Sequence, residues 1–285
     1  MNRIGPAAAP IGGPGPSRRQ PPSIDPEGAS AVLEGLVAGL RDGAIEVVDL
    51  TAPLSEETPV VRLPPECGQP WRFEREVISR YDAAGPDMYW NNIRLSEHTG
   101  THFDAPVYWL SGRSHDDVSQ IPARRLVAPA AVLDFSDEAA GDPDFLLERG
   151  HVEEWQATHG PLPAGGWLLY RTGWDARHGD LARYLNEGRT PGVAPACAAW
   201  LAEETSIIGI GVETVSTDAG RAGSFSEQRY PCHWYFQGRN KYGLTQLRNL
   251  ARLPARGAVL ITGPLPIQHG SGSPARVLAL VPRAR

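Results

Sequence analysis

Apolar positions follow two regimes along this chain. Val32, Leu33, Leu36, Val37 and Leu40 recur at helical spacing, which predicts a helix stopping near Gly43. Asp25 suits its N-cap and Pro26 its first helical position. Beyond it, apolar residues gather in short β-branched runs bounded by Gly, Pro or Asp. These predict strands over 45–50, 88–95, 130–135, 167–171, 207–212, 258–262 and 277–281. Helical spacing returns over 152–158, 180–186 and 195–204, the last turning Ala198, Trp200 and Leu201 inward. The pattern is strand-rich with interspersed helices. It shows no βαβ unit of fixed period and no internal repeat.

Residues 1–23 break both regimes. They are rich in Pro, Gly and Ala with few large apolar side chains, so they are expected to form a tail that cannot offset the entropy of ordering. No Gly/Ser linker divides the remainder, and 24–285 is expected to be a single domain. The 285 residues are 41% hydrophobic, enough for a core, and the 31 Gly and 27 Pro point to many turns rather than a helix bundle. A net charge of −6 without a basic run argues against nucleic acid and anionic membranes as partners, leaving a small molecule. No window approaches the roughly 18 apolar residues of a membrane span, and the N-terminus lacks the apolar stretch of a secretory signal. Cys67, Cys197 and Cys232 are odd in number and have no CxxC spacing, so they build neither a disulfide framework nor a thiolate zinc site. They suit a reducing, cytoplasmic setting.

The stretch with chemical content is Ser96-Glu97-His98-Thr99-Gly100-Thr101-His102-Phe103-Asp104-Ala105-Pro106. Gly100, Pro106 and the β-branched threonines oppose a helix. In an extended chain 98, 102 and 104 share parity, so both imidazoles and the carboxylate point to one side while Phe103 points into the core. Two His and one carboxylate suit Zn²⁺, Mn²⁺ or Fe²⁺ and leave coordination positions open, as a catalytic metal requires.

This HTGTHxDAP stretch resembles the signature of the cyclase family, which includes bacterial kynurenine formamidase and isatin hydrolase. The likeness extends to Val48-Asp49-Leu50-Thr51, to Arg171-Thr172-Gly173-Trp174, to 209–214 with Asp218, and to 270–277, covering roughly 45–285. It implies an α/β fold of the swivelling β/β/α kind with a central barrel-like mixed sheet. It implies one divalent metal, Mn or Zn, on His98, His102 and Asp104, with His233 approaching as ligand or proton carrier. Hydrolysis of an aryl formamide or an isatin-like ring amide follows, as does assembly into dimers or tetramers.

Two departures stand out. Tyr108 occupies the place of a His that carries protons near the metal in the family. An unperturbed phenol has a pKa near 10 against about 6.5 for imidazole, so Tyr108 is expected to donate a hydrogen bond to an oxyanion or to orient substrate. Twelve residues past His233, where the family has a Glu or Gln ligand, stands Thr245, with Gln246 next. Either the register slips and Gln246 becomes the fourth ligand, or the protein ligand is lost. Trp90, Trp109, Phe225 and Trp234 are candidates for the wall of a flat aromatic pocket. Glu213 and Asp218 follow a strand end, where functional groups are common but turn capping by Asp218 and Ser216 is the plainer role. His115, His151, His159, His178 and His269 are expected at the surface. A ring-closing cyclase or dehydratase using Tyr108 as acid, and a non-catalytic binding relative, are the alternatives to a hydrolase.

Overall fold

The computed structural model describes residues 26–63 and 65–283; the tail expected over 1–23 and the cap expected at Asp25 lie outside them. The strands are β1 (Ile45–Asp49), β2 (Glu74–Asp82), β3 (Gly85–Arg94), β4 (His102–Asp104), β5 (Val127–Asp134), β6 (Leu146–Leu147), β7 (Trp167–Arg171), β8 (Gly192–Val193), β9 (Gly209–Val212), β10 (Tyr242–Thr245), β11 (Ala258–Pro264) and β12 (Gly272–Pro282). The helices are α1 (Pro26–Asp42), α2 (Ser136–Gly141), α3 (Arg149–His159), α4 (Leu181–Leu185) and α5 (Pro195–Glu203).

One sheet runs β1-β12-β11-β5-β7-β9-β10-β4, and a further pairing of β4 with β12 closes all of these strands but β1 into a barrel. Strands β5, β7, β9 and β10 are parallel; the remaining pairings are antiparallel. The length of β12 makes closure possible. Its residues 272–274 pair with β4 and its residues 278–282 pair with β1, so two short strands share one of its edges. This is the barrel-like mixed sheet expected of the α/β class.

Strand alternation sorts the side chains into two cores. Phe103, Ala130, Val132, Trp167, Leu169, Tyr242, Leu244 and Val277 fill the barrel. Ala131, Leu133, Leu168, Tyr170, Ile210 and Val212 face outward beneath α3 and α5, which contribute Val152, Trp155, Ala198 and Leu201. Burial of this order, at about 25 cal/mol per Å² of apolar surface, is what holds the wall together.

The stripe that predicts α1 does not enter either core. Val32, Leu33 and Val37 are each more than 60% exposed, because the helix leans mainly on β1. The expected strand at 88–95 is the second arm of a ribbon, β2–β3, that pairs with no other strand. Val77, Tyr81, Met88, Trp90 and Ile93 stand exposed on it. No helix among the described residues is long and apolar enough to cross a membrane.

Glu213, just past β9, is buried and ties β9 to the turn after β7. Its Oε2 accepts from the Thr172 amide at 2.8 Å and the Trp174 amide at 3.0 Å, while Oε1 has no partner. This is a structural clamp, while the turn that follows is capped by Ser216, whose Oγ accepts from the Asp218 amide at 3.2 Å. His178, expected at the surface, is half-buried nearby with its ring edge on Tyr184. Burial, reinforced by the charge of Asp175, raises the Glu213 carboxyl from its ordinary 4.5 to about 7 against the pull of the two amides. A carboxyl with a raised folded-state pKa binds its proton more tightly when folded. Its contribution is complete below about pH 4.5 and is lost as pH rises through about 7. Glu213→Gln is therefore expected to remove a stability loss of up to roughly 3 kcal/mol between those limits, measured as the difference between the two proteins' urea unfolding free energies across pH.

Candidate metal centre

The centre lies on the outer face of β4. Phe103 fills the barrel, so His102 and Asp104 on either side of it face out, as the strand alternation demands. His98 arrives differently. It sits in the turn before β4, where Gly100 takes φ +66°, and so reaches the centre by chain reversal rather than by strand parity.

The neighbours of Asp104 make the space. Across the sheet it pairs with Gly243 on β10 and Gly272 on β12. A Cβ on Gly243 would lie 2.7 Å from Asp104 Oδ2, and one on Gly272 would lie 2.7 Å from His98 Cε1. Glycine on both flanking strands therefore lets a carboxylate and an imidazole occupy room that side chains would fill.

Outward hydrogen bonds settle which ring nitrogens face inward. His102 Nδ1 lies 2.7 Å from the Gly100 carbonyl, which can only accept, so Nδ1 carries a proton and, in the neutral ring, Nε2 carries the lone pair. Thr245 Oγ1 is 2.9 and 3.1 Å from the two nitrogens of that ring. A point so nearly equidistant lies on neither lone-pair axis. His98 Nε2 contacts Ser271 Oγ at 2.9 Å, and its Nδ1 lies 2.8 Å from Asp104 Oδ1. His102 Nε2 is 3.3 Å from the same oxygen.

His98, His102 and Asp104 thus bring ligand atoms within 4.8 Å of one another, the one such cluster among the described residues. Donors about 2.1 Å from a cation stand about 3.0 to 3.4 Å apart in octahedral or tetrahedral arrangement. Of the observed separations, 3.3 Å falls inside that range and 2.8 Å lies 0.2 Å below it, so the donor set fits a divalent ion with a small adjustment of one ring. Burial opposes the charge of Asp104, but His102 and His98 outweigh it and hold the carboxyl well below the usual range.

On the far side, His233 opens a π-helical turn, His233–Gln237. Its Nδ1 bonds the fully buried Asp218, which also accepts from the Cys232 amide at 2.6 Å. Nε2 therefore faces the centre, 4.0 Å from Asp104 Oδ2. Burial lowers the imidazole pKa, yet Asp218 more than compensates and leaves it raised. Sequence reasoning missed Asp218 as the residue that orients His233. A carboxylate placed just beyond a strand end was the only signal.

Tyr108 lies over His98, with ring centroids 4.0 Å apart, and Trp109 over His233, 4.8 Å away. Burial first, then Asp104 and Asp218, pushes the Tyr108 hydroxyl far above its ordinary value, so it stays protonated. Trp234 is about one-third exposed, and its carbonyl accepts from Ser111 Oγ at 2.7 Å. Trp90 belongs to the exposed ribbon, and Phe225 is half-buried in the loop before Tyr230. At the position where either Thr245 or Gln246 was expected, Thr245 pairs with His102, and Gln246, at φ +54°, ends the strand; its amide nitrogen donates to the Pro59 carbonyl at 3.3 Å, and its buried Oε1 has no partner among the described residues.

The sequence profile of the family described as putative cyclase matches residues 48–219. The chain is 44% identical over 263 residues to an isatin hydrolase of Roseibium aggregatum, covering 90% of this chain and 99% of that protein. It is 27% identical over 190 residues to a kynurenine formamidase of Polaromonas naphthalenivorans, covering 66% and 73%. A crystal structure of an isatin hydrolase bound to the product analogue thioisatinate superposes with a TM-score of 0.87 at 43% identity, covering 90% of this chain and 99% of that one.

If the glycine flank is what seats Asp104, Gly243→Ala should weaken divalent-metal affinity more than tenfold, within the range for disturbing a ligand's supports. Competition with a chromophoric chelator would measure it. Unchanged affinity would show that the carboxylate does not need the space.

Proposed function

The chain belongs to the cyclase family, and on that premise we propose that it opens the ring amide of isatin or a close aromatic analogue at one divalent ion, Mn²⁺ or Zn²⁺, held by His98, His102 and Asp104. The observation that carries this reading is the convergence of a ring nitrogen from each of His98 and His102 on Asp104 Oδ1, with His233 aimed at the same carboxylate from the other side. A bound divalent ion would supply polarisation of the amide carbonyl and a more acidic water.

The remaining work falls to side chains. His233, held by Asp218 with Nε2 inward, takes a proton from the attacking water. The water oxygen bonds to the carbonyl carbon and the ring C–N bond breaks. The same imidazole then returns the proton to the departing aryl nitrogen, giving an aniline and a carboxylic acid, which releases the water's second proton to solvent to become the carboxylate. Tyr108, kept protonated, is placed to donate to the oxygen that gathers charge. Trp109 and Tyr108 offer flat faces for an aromatic ring. The ring-closing alternative asks Tyr108 to be an acid, and its raised pKa disfavours that role. We leave Gln246 outside the ligand set.

Two further parts of the reading concern the whole molecule. The unpaired Cys67, Cys197 and Cys232 support a cytoplasmic setting. The apolar ribbon β2–β3 supports a homodimer or homotetramer, because a two-stranded hairpin is marginal in water until something covers it.

Two outcomes are expected. Stripping metal with a chelator should abolish isatin ring opening followed by absorbance, and Mn²⁺ or Zn²⁺ should restore it; full turnover by metal-free protein would end the reading. Light scattering should give a multiple of the chain mass, and Ile93→Glu should shift it toward the monomer, whereas a monomeric parent would exclude the assembly.

A further inference from the structure

The centre has an outer support that the reaction does not call on directly. Glu97 precedes His98, and its Oε2 accepts two bonds from one residue of the turn before β12, from the Ser271 amide at 3.0 Å and from Ser271 Oγ at 2.6 Å. Glu97 Oε1 lies against Gly270, where a Cβ would stand 2.9 Å away, so the carboxylate has little room to turn. The Ser271 carbonyl in turn accepts the Ala105 amide at 2.9 Å, pinning this turn to the end of β4.

That geometry fixes a direction of donation. An ionised carboxylate can only accept, so the Ser271 hydroxyl gives its proton to Glu97. Its lone pairs are then what His98 Nε2 meets at 2.9 Å, so His98 must donate from Nε2. The neutral ring is left with its lone pair on Nδ1, the nitrogen facing Asp104. Were the hydroxyl turned the other way, the proton would sit on Nδ1, between His98 and Asp104, where a cation belongs.

We propose that Glu97 and Ser271 are positioning residues that lock His98 as an Nδ1 metal donor. The inference rests on the metal reading above and adds to it the assignment of the C-terminal turn to the centre. His102 has a backbone carbonyl for the same task, so its tautomer is set within its own turn. His98 depends on a side-chain relay that bridges two distant parts of the chain. Outer partners of metal-bound histidines usually govern affinity at the level of about 10–100-fold.

The test measures metal affinity, by chelator competition with Mn²⁺ or Zn²⁺ alone, in the full-length parent and in Ser271→Ala, Ser271→Thr and Glu97→Gln. Ser271→Ala should bind about 10–100-fold more weakly, Ser271→Thr should keep most of the affinity because it keeps the hydroxyl, and Glu97→Gln should weaken it. In the metal-free parent, long-range ¹⁵N–¹H correlation NMR should find the His98 proton on Nε2. Parent-like affinity in Ser271→Ala, with tight binding by the parent, would overturn this inference alone. A parent that binds no divalent ion would overturn the metal reading and this inference together. A His98 proton found on Nδ1 would overturn it even if Ser271→Ala fails to fold.

Discussion

Two imidazoles and one carboxylate face one another on the outer wall of the barrel. Asp104 Oδ1 lies 2.8 Å from His98 Nδ1 and 3.3 Å from His102 Nε2. A buried carboxylate stays ionised only with positive charge beside it, whether protons on the rings or a cation between them. The chain fixes that arrangement from behind. The Gly100 carbonyl grips His102, Ser271 grips His98, and the sheet holds Asp104 between two glycines. The rest of the wall is arranged around that site for positive charge.

Much of this was legible because it follows from local rules. The alternation of His102, Phe103 and Asp104 gave the inward and outward faces correctly, since a residue between two polar ones has only one core to enter. The strand at 167–171 and the helix at 195–204 were readable from apolar runs with clear punctuation. What escaped was non-local or atypical. Strand β4 is short, and its outward residues are polar where a pattern reader looks for apolar ones. Strand β10 is four residues with a glycine inside. Strand β2 has solvent on both faces and so lacks alternation. The grip of Asp218 on His233 spans a loop whose path no spacing rule supplies.

The Thr245 and Gln246 pair shows how a register question is settled by backbone. Both are buried, and composition favours the amide as a ligand. The pairing with β4 puts the hydroxyl beside His102, and the left-handed turn at Gln246 then ends the strand.

The last long strand carries a consequence for how the molecule is made. Ser271 and Gly272 complete the surroundings of His98 and Asp104, yet they are translated about 170 residues later. At roughly 5–20 residues per second His98 and Asp104 wait on the order of 10–30 s for that seam. Until β12 is made, the edge of β4 that it covers in the finished sheet stays open.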